Sequence, residues 1–266
     1  MRYAFTSFSA PERSLPQLIE LALRYGYVGL EPRVGAGHGH GLELSASPGW
    51  RRTMARLVAD AGVELVCLAT SGRYSDPATA PDEVERTRRA LDLAADVGAG
   101  RIKVFCGPVP SGVERAAASA SVIRSLWVLA GDAHARGITI CVETHDDWSN
   151  PEIMAGVLRA VDHPAVAVIW DIMHTLREGG AEPEGAVRTL RPWLDHVHVH
   201  DGLLRRDRLE FRPIGEGEVD HRRPLELLRE VGYGGYLSGE WLNWEPPEVH
   251  LPREIAALRR LEAEPG

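Results

Sequence analysis

The chain has 266 residues, 44% hydrophobic and 26% charged, with 30 basic against 38 acidic side chains and a formal net charge of −8. This composition excludes a disordered chain, supports a large core and suits one α/β barrel in length. The acidic balance offers no global attraction to phosphate backbones, so a nucleic-acid partner is not expected.

Cys67, Cys106 and Cys141 sit in apolar runs without CxxC spacing and read as buried, reduced thiols. The opening residues, MRYAFTSFSAPE, lack the apolar run of a secretory leader, and no stretch reaches the roughly eighteen residues of a membrane span. The expected setting is therefore the cytoplasm, with no membrane partner.

In chain order, an amphipathic helical segment, a Gly and a short apolar strand recur: LIELALRYGYVGLE (18–31), ARLVADAGVELVCLA (55–69), ALDLAADVGAGRIKVF (90–105), LAGDAHARGITICVE (129–143) and LLREVGYGGYLSGE (227–240). Gly26, Gly62, Gly98 and Gly137 fall 36, 36 and 39 residues apart and are expected to end the first four helices. Strands are predicted at 2–7, 27–31, 63–69, 101–106, 138–143, 165–171, 196–200 and 236–241. Pro81, Pro151, Pro183 and Pro224 stand at or near helix starts, where a missing N–H costs little.

Strands alternating with helices imply parallel crossovers. The expected fold is an α/β (β/α)8 TIM barrel, one domain over 1–266, with a doubly wound open sheet as the alternative. The longer loops, 32–48 and 201–219, are where function is expected.

In such a barrel the chemistry lies at the C-terminal strand ends. Strands five to eight end in Glu143 (ICVETH), Asp171 (AVIWDIMH), His198 (DHVHVHDG) and Glu240 (LSGEW). Strand parity supports their convergence: with Glu143 facing in, Cys141 does too, while Ile140 and Val142 face the helices. Val168 and Trp170 likewise face out when Asp171 faces in, and His196, His198 and His200 share one face. Three carboxylates and an imidazole suit one divalent ion, Mn²⁺ or Mg²⁺ first, with Co²⁺ or Zn²⁺ open through the imidazole. A lone acid at a strand end is as readily a helix N-cap, but four together without a cation would be costly.

With these motifs the chain resembles the sugar phosphate isomerase/epimerase family of xylose-isomerase-like TIM barrels. The resemblance rests on VETH (142–145), WDIMH (170–174), HVHVHD (196–201), PIGEGEVD (213–220) and GYLSGEW (235–241). It implies that Glu143, Asp171, His198 and Glu240 hold one divalent metal, and it favours His198 over His200 because the family ligand lies three residues before the Asp of this motif, here Asp201. The apurinic-site endonucleases of the same superfamily use an Asp-Arg-His triplet, where this chain has Asp207-Arg208-Leu209; a small-molecule enzyme is the better match.

The expected activity is isomerisation or epimerisation of a sugar, ketose or related polyhydroxy ketone. A cation chelating a carbonyl and a neighbouring hydroxyl stabilises the enediolate, and Glu143 and Glu240 act as the acid/base pair. A dehydratase of inosose or dehydroshikimate type is the alternative, since the same intermediate can expel a β-hydroxyl.

Candidate substrate contacts are His174, which the resemblance places against substrate, His145, His200 and Lys103, a cation in an apolar strand that needs an anionic partner. Arg205, with Arg206 and Arg208, is placed to reach a phosphate or carboxylate. His38, with His40, lies in a Gly-rich loop suited to a lid. Trp241, with Trp148 and Trp244, is placed to wall the pocket. A homodimer is compatible with the exposed barrel helices.

Overall fold

The computed structural model describes residues 1–205 and 208–263. Its elements run β1 (Arg2–Thr6), α1 (Leu15–Tyr25), β2 (Gly29–Glu31), α2 (Pro48–Ala61), β3 (Glu64–Leu65), β4 (Leu68–Ala69), α3 (Ala80–Val97), β5 (Arg101–Val104), α4 (Arg115–Ala135) and β6 (Thr139–Glu143). They continue with α5 (Pro151–Val161), β7 (Val166–Asp171), α6 (Ile172–Arg177), α7 (Pro183–Leu190), β8 (Leu194–Val199), β9 (Asp201–Arg205), β10 (Arg208–Arg212), α8 (Arg222–Glu230), β11 (Tyr236–Gly239) and α9 (Pro247–Ala263).

The main sheet is parallel throughout, in the order β3-β2-β1-β11-β8-β7-β6-β5-β4. Its two ends are halves of one predicted strand, 63–69, which breaks at Val66–Cys67. The first half pairs with β2 and the second with β5. Ala69 also bridges back to Arg33, donating its amide to Pro32 O at 2.9 Å and accepting from Val34 N at 2.8 Å, so the ring closes through this segment. The fold is the expected (β/α)8 TIM barrel.

The helix signals act locally as the residue types dictate. Gly26, Gly62 and Gly98 take the left-handed conformation as C-caps of α1, α2 and α3, whereas Gly137 follows the capping residue Arg136. Pro151 and Pro183 open α5 and α7 at the first helical position. Asn150 caps α5 by accepting from the amides of Glu152 and Ile153.

Alternation along the strands builds two apolar layers. Cys67, Cys141, Ala167, Ile169 and Tyr236 fill the barrel interior below the strand ends. Ile140, Val142, Val168, Trp170 and Val197 face outward into the larger core under the helices, with Leu18, Leu91 and Leu126. All three cysteines are buried and unpaired, and burial raises their thiol pKa values.

One expectation needs correcting. The 201–219 segment is not simply a loop: β9 and β10 form an antiparallel hairpin, with Asp201 opposite Arg212 and Arg205 opposite Arg208. Its pairing is independent of the barrel and its residues are mostly polar, so the apolar-run criterion passes over it. No helix among the described residues is long and apolar enough to cross a membrane.

Candidate active site

Parallel register sets the site. Asp171 at the end of β7 lies beside His198 on β8, and His198 lies beside Ser238 on β11, two residues before Glu240. Glu143 ends β6 next to β7. Glu143, Asp171, His198 and Glu240 are all buried and each offers a donor atom within 4.8 Å of the others. The four predicted strand-end residues thus meet in one place.

His198 stands at the centre. Its Nδ1 lies 2.6 Å from Glu143 Oε1 and 3.3 Å from Glu240 Oε2, while Nε2 lies 3.1 Å from Glu31 Oε2. Glu31 also receives Nε2 of His196 at 3.0 Å and the Ser238 hydroxyl at 2.8 Å. Burial alone would raise the pKa of Glu31, but the two imidazoles hold it well below the usual carboxylate range.

Lys103 on β5 projects its ammonium between the two glutamates, 2.9 Å from Glu143 Oε2 and 3.2 Å from Glu240 Oε1. Burial opposes the charge on Lys103, yet Glu143, Glu240 and Glu31 outweigh it and raise its pKa. In turn Lys103 and His198 keep both glutamates ionised against the desolvation that burial imposes.

Asp171 has two tasks. Oδ1 caps the short α6 by accepting from the His174 amide at 2.9 Å, and Oδ2 meets His200 Nε2 at 2.9 Å. His174 Nδ1 is 3.1 Å from Glu178, and its ring lies 4.2 Å from that of His145. Burial works against protonation of His174, but Asp171 and Glu178 prevail and raise its pKa to about 9. Beyond β8, Asp201 gathers the amides of Gly202, Gly215, Gly217 and Val219, tying the PIGEGEVD turn to the site floor.

Above this floor opens a cleft of about 340 Å³. Lys103, Glu143, His145, His174, His200 and Glu240 line it, bringing together most of the residues expected there. His38 is not among its lining residues; its Nδ1 pairs with the Ser7 hydroxyl at 2.8 Å and its ring meets Phe8 edge-on. Arg205 is exposed on the hairpin and is not among the lining residues, though it borders an adjoining cleft that shares Leu209, Phe211 and Leu242 with this one. Arg206 and Asp207 lie outside the described residues. Trp241 is fully buried and folds back over Gly239, where a Cβ would sit 2.0 Å from the indole, and it packs on His250. Leu242 lines the cleft in its place.

Sequence reasoning passed over Glu31, Arg33, Arg73, Phe8 and Phe105. For Glu31 the signal was available: it is the last residue of GLE on β2, so the strand-end rule applied to the second strand would have selected it. Arg33 and Arg73 come from loops, Phe8 from a one-turn 3-10 helix and Phe105 from the residue just past a strand, where spacing carries no direction.

The donor set, three carboxylates and one imidazole nitrogen whose opposite nitrogen is engaged by Glu31, fits a divalent cation. Two further groups, Glu31–His196–His198 and Asp171–His174–His200, bring three donors together.

A family model described as xylose isomerase-like TIM barrel matches residues 19–261. A Xenopus laevis relative carrying the name of a hydroxypyruvate isomerase is 26% identical over 190 residues, 67% of this chain and 65% of that protein, so the match spans just under two thirds of the relative's length. The 3-dehydroshikimate dehydratase of Bacillus anthracis is 21% identical over 283 residues, covering 98% of this chain and 99% of that one. Among solved structures, a D-psicose 3-epimerase superposes with a TM-score of 0.80 at 18% identity, covering 99% of this chain and 100% of that one, a likeness of fold.

Proposed function

The chain belongs to the xylose isomerase-like TIM-barrel family, and from that premise we propose that it is a divalent-metal-dependent isomerase or epimerase of a sugar, ketose or related polyhydroxy ketone. The observation that carries this reading is the pairing of Glu143 and Glu240, which share Lys103 and His198 as partners and face one another at the floor of the cleft. Glu143, Asp171, His198 and Glu240 would hold the ion, which when bound supplies Lewis-acid stabilisation of charge developing on a substrate oxygen.

The protein's own groups handle the proton. Lys103 keeps both carboxylates charged, so either can accept a proton from the carbon beside a carbonyl. Delivery to the opposite face of the same carbon by the other glutamate, once that glutamate has taken a proton from solvent, inverts the centre; return of the abstracted proton to the neighbouring carbon, with the hydroxyl proton passing to the carbonyl oxygen, isomerises the substrate. His145, His174 and His200 line the cleft where hydroxyls would be oriented. The small-molecule partner follows from this cleft, and Mn²⁺ or Mg²⁺ is the ion we favour from its oxygen-rich donors.

The dehydratase reading has one observation in its favour: His174, held protonated above neutral pH at the cleft wall, is suited to protonate a departing hydroxyl. Incubating metal-loaded protein with a panel of ketoses, hydroxy-keto acids and inositol ketones in deuterated water separates the two. Deuterium at the α-carbon with unchanged composition supports isomerase or epimerase action, and loss of water supports the lyase. Undiminished exchange in both Glu143→Gln and Glu240→Gln would remove the proposed acid/base pair.

A further inference from the structure

We propose that the substrate carries an oxyanion, a carboxylate or a phosphate ester, held by Arg33 and Arg73 at the mouth of the cleft; this rests on the catalytic reading above and narrows its substrate class. Six cationic or potentially cationic side chains line that cleft. Four have an acidic partner within ion-pair distance: Lys103 with Glu143 and Glu240, His145 with Asp146, His174 with Glu178, and His200 with Asp171. Among the described residues, Arg33 and Arg73 have none.

Both guanidinium groups are placed rather than loose. Arg33 lies 5.9 Å above Phe8 and Arg73 lies 5.9 Å above Phe105, and both rings line the same cleft. Arg33 donates to the carbonyls of Val34 and Ala69 and to the Ser71 hydroxyl. These neutral acceptors fix its position without placing a carboxylate in an ion pair with it.

The acids nearby are engaged elsewhere. Glu43 accepts the amides of Gly35 at 2.6 Å and Gly37 at 3.2 Å, and Asp146 pairs with His145. Burial lowers the pKa of Arg33, Glu240, Glu43 and Glu143 act on it from beyond ion-pair distance to raise it, and the positive charge of Arg73 lowers it. Two guanidinium groups lining one cleft, each over an aromatic ring and neither in an ion pair, form a receptor for an oxyanion, whose arrival supplies charge-assisted hydrogen bonds.

Equilibrium titration tests this without turnover. Inorganic phosphate, glycolate and neutral dihydroxyacetone are titrated by calorimetry into the protein with and without manganese, for wild type, Arg33→Lys, Arg73→Met and the outer-helix control Arg52→Met. At least one anion is expected to bind about tenfold more tightly than dihydroxyacetone, and Arg33→Lys and Arg73→Met to weaken it about tenfold each, with dihydroxyacetone and the control unchanged. Preference for phosphate identifies a phosphate ester, and preference for glycolate a carboxylate.

The inference is overturned if neither anion outbinds dihydroxyacetone, or if anion binding survives both cleft substitutions, as it would on a metal alone. Should Arg33→Lys disturb its loop, Arg73→Met at an exposed position decides. Because no turnover is required, this result stands whether or not any ketose exchanges deuterium, and an active enzyme indifferent to both arginines would refute the oxyanion receptor alone.

Discussion

The Glu31 carboxylate meets Nε2 of His198 at 3.1 Å, on the edge of the ring opposite Nδ1, which faces Glu143 at 2.6 Å. With Glu31 accepting the Nε2 proton, Nδ1 donates a second proton to Glu143, and a cation binding at the cluster would displace that proton and take the Nδ1 lone pair, the tautomer a metal ligand requires. Glu31→Gln is expected to weaken manganese binding about 10- to 100-fold while the fold is retained. Titration of the metal-free variant followed by the paramagnetic signal of free Mn²⁺ checks it; an affinity equal to wild type would show that Glu31 does not orient the ring.

Lys103 is the buried cation between Glu143 and Glu240. Lys103→Met leaves two buried carboxylates facing each other, and the metal-free protein is expected to lose about 3–5 kcal/mol. Manganese should restore part of that loss, so the metal-induced rise in melting temperature should be larger than in wild type. A variant as stable as wild type without metal would contradict the assigned role.

His40 gives a pH dependence remote from the carboxylate cluster. Its Nδ1 accepts from the Leu42 amide at 3.0 Å and its Nε2 lies 3.1 Å from Arg33 O, an arrangement that requires the neutral ring. Burial, with His38 adding to it, lowers its pKa from 6.5 to about 4. The unfolded chain therefore takes up a proton before the folded one, and stability falls as pH drops from about 6.5 to about 4, by up to about 3 kcal/mol from this group. Urea melts at pH 7 and pH 5 should show a smaller loss in His40→Gln than in wild type; equal losses would remove His40 from the account.

Gly217 marks the tightest point of the turn beneath the cleft. A Cβ there would lie 2.0 Å from Asp201 Oδ1 and 2.6 Å from the backbone nitrogen of Gly202. Gly217→Ala is expected to cost about 2–4 kcal/mol, because neither the carboxylate held by four amides nor the backbone can yield cheaply. Denaturant unfolding measures this directly, and a change below about 0.5 kcal/mol would mean the turn relaxes freely.

Much of this architecture is legible in the residues. The Gly-ended helices and apolar strands dictate the barrel, and period-two alternation places Ile140 and Val142 outward and Cys141 inward. Glu143, Asp171, His198 and Glu240 are predictable because strand ends in a parallel barrel share one rim. What is hidden depends on side-chain direction. Trp241 follows a ligand strand yet folds over Gly239, a choice made by the space above that glycine. Arg33 and Arg73 gain meaning only from Phe8 and Phe105 beside them, and the β9–β10 hairpin arises from local pairing that the apolar pattern does not signal.

The most direct test is anomalous diffraction from crystals of the wild-type protein soaked in manganese. The account predicts one strong peak within coordinating distance of Glu143, Asp171, Glu240 and Nδ1 of His198, with Nε2 still against Glu31. No peak at this cluster, or a peak only at Glu31 with His196, would contradict it.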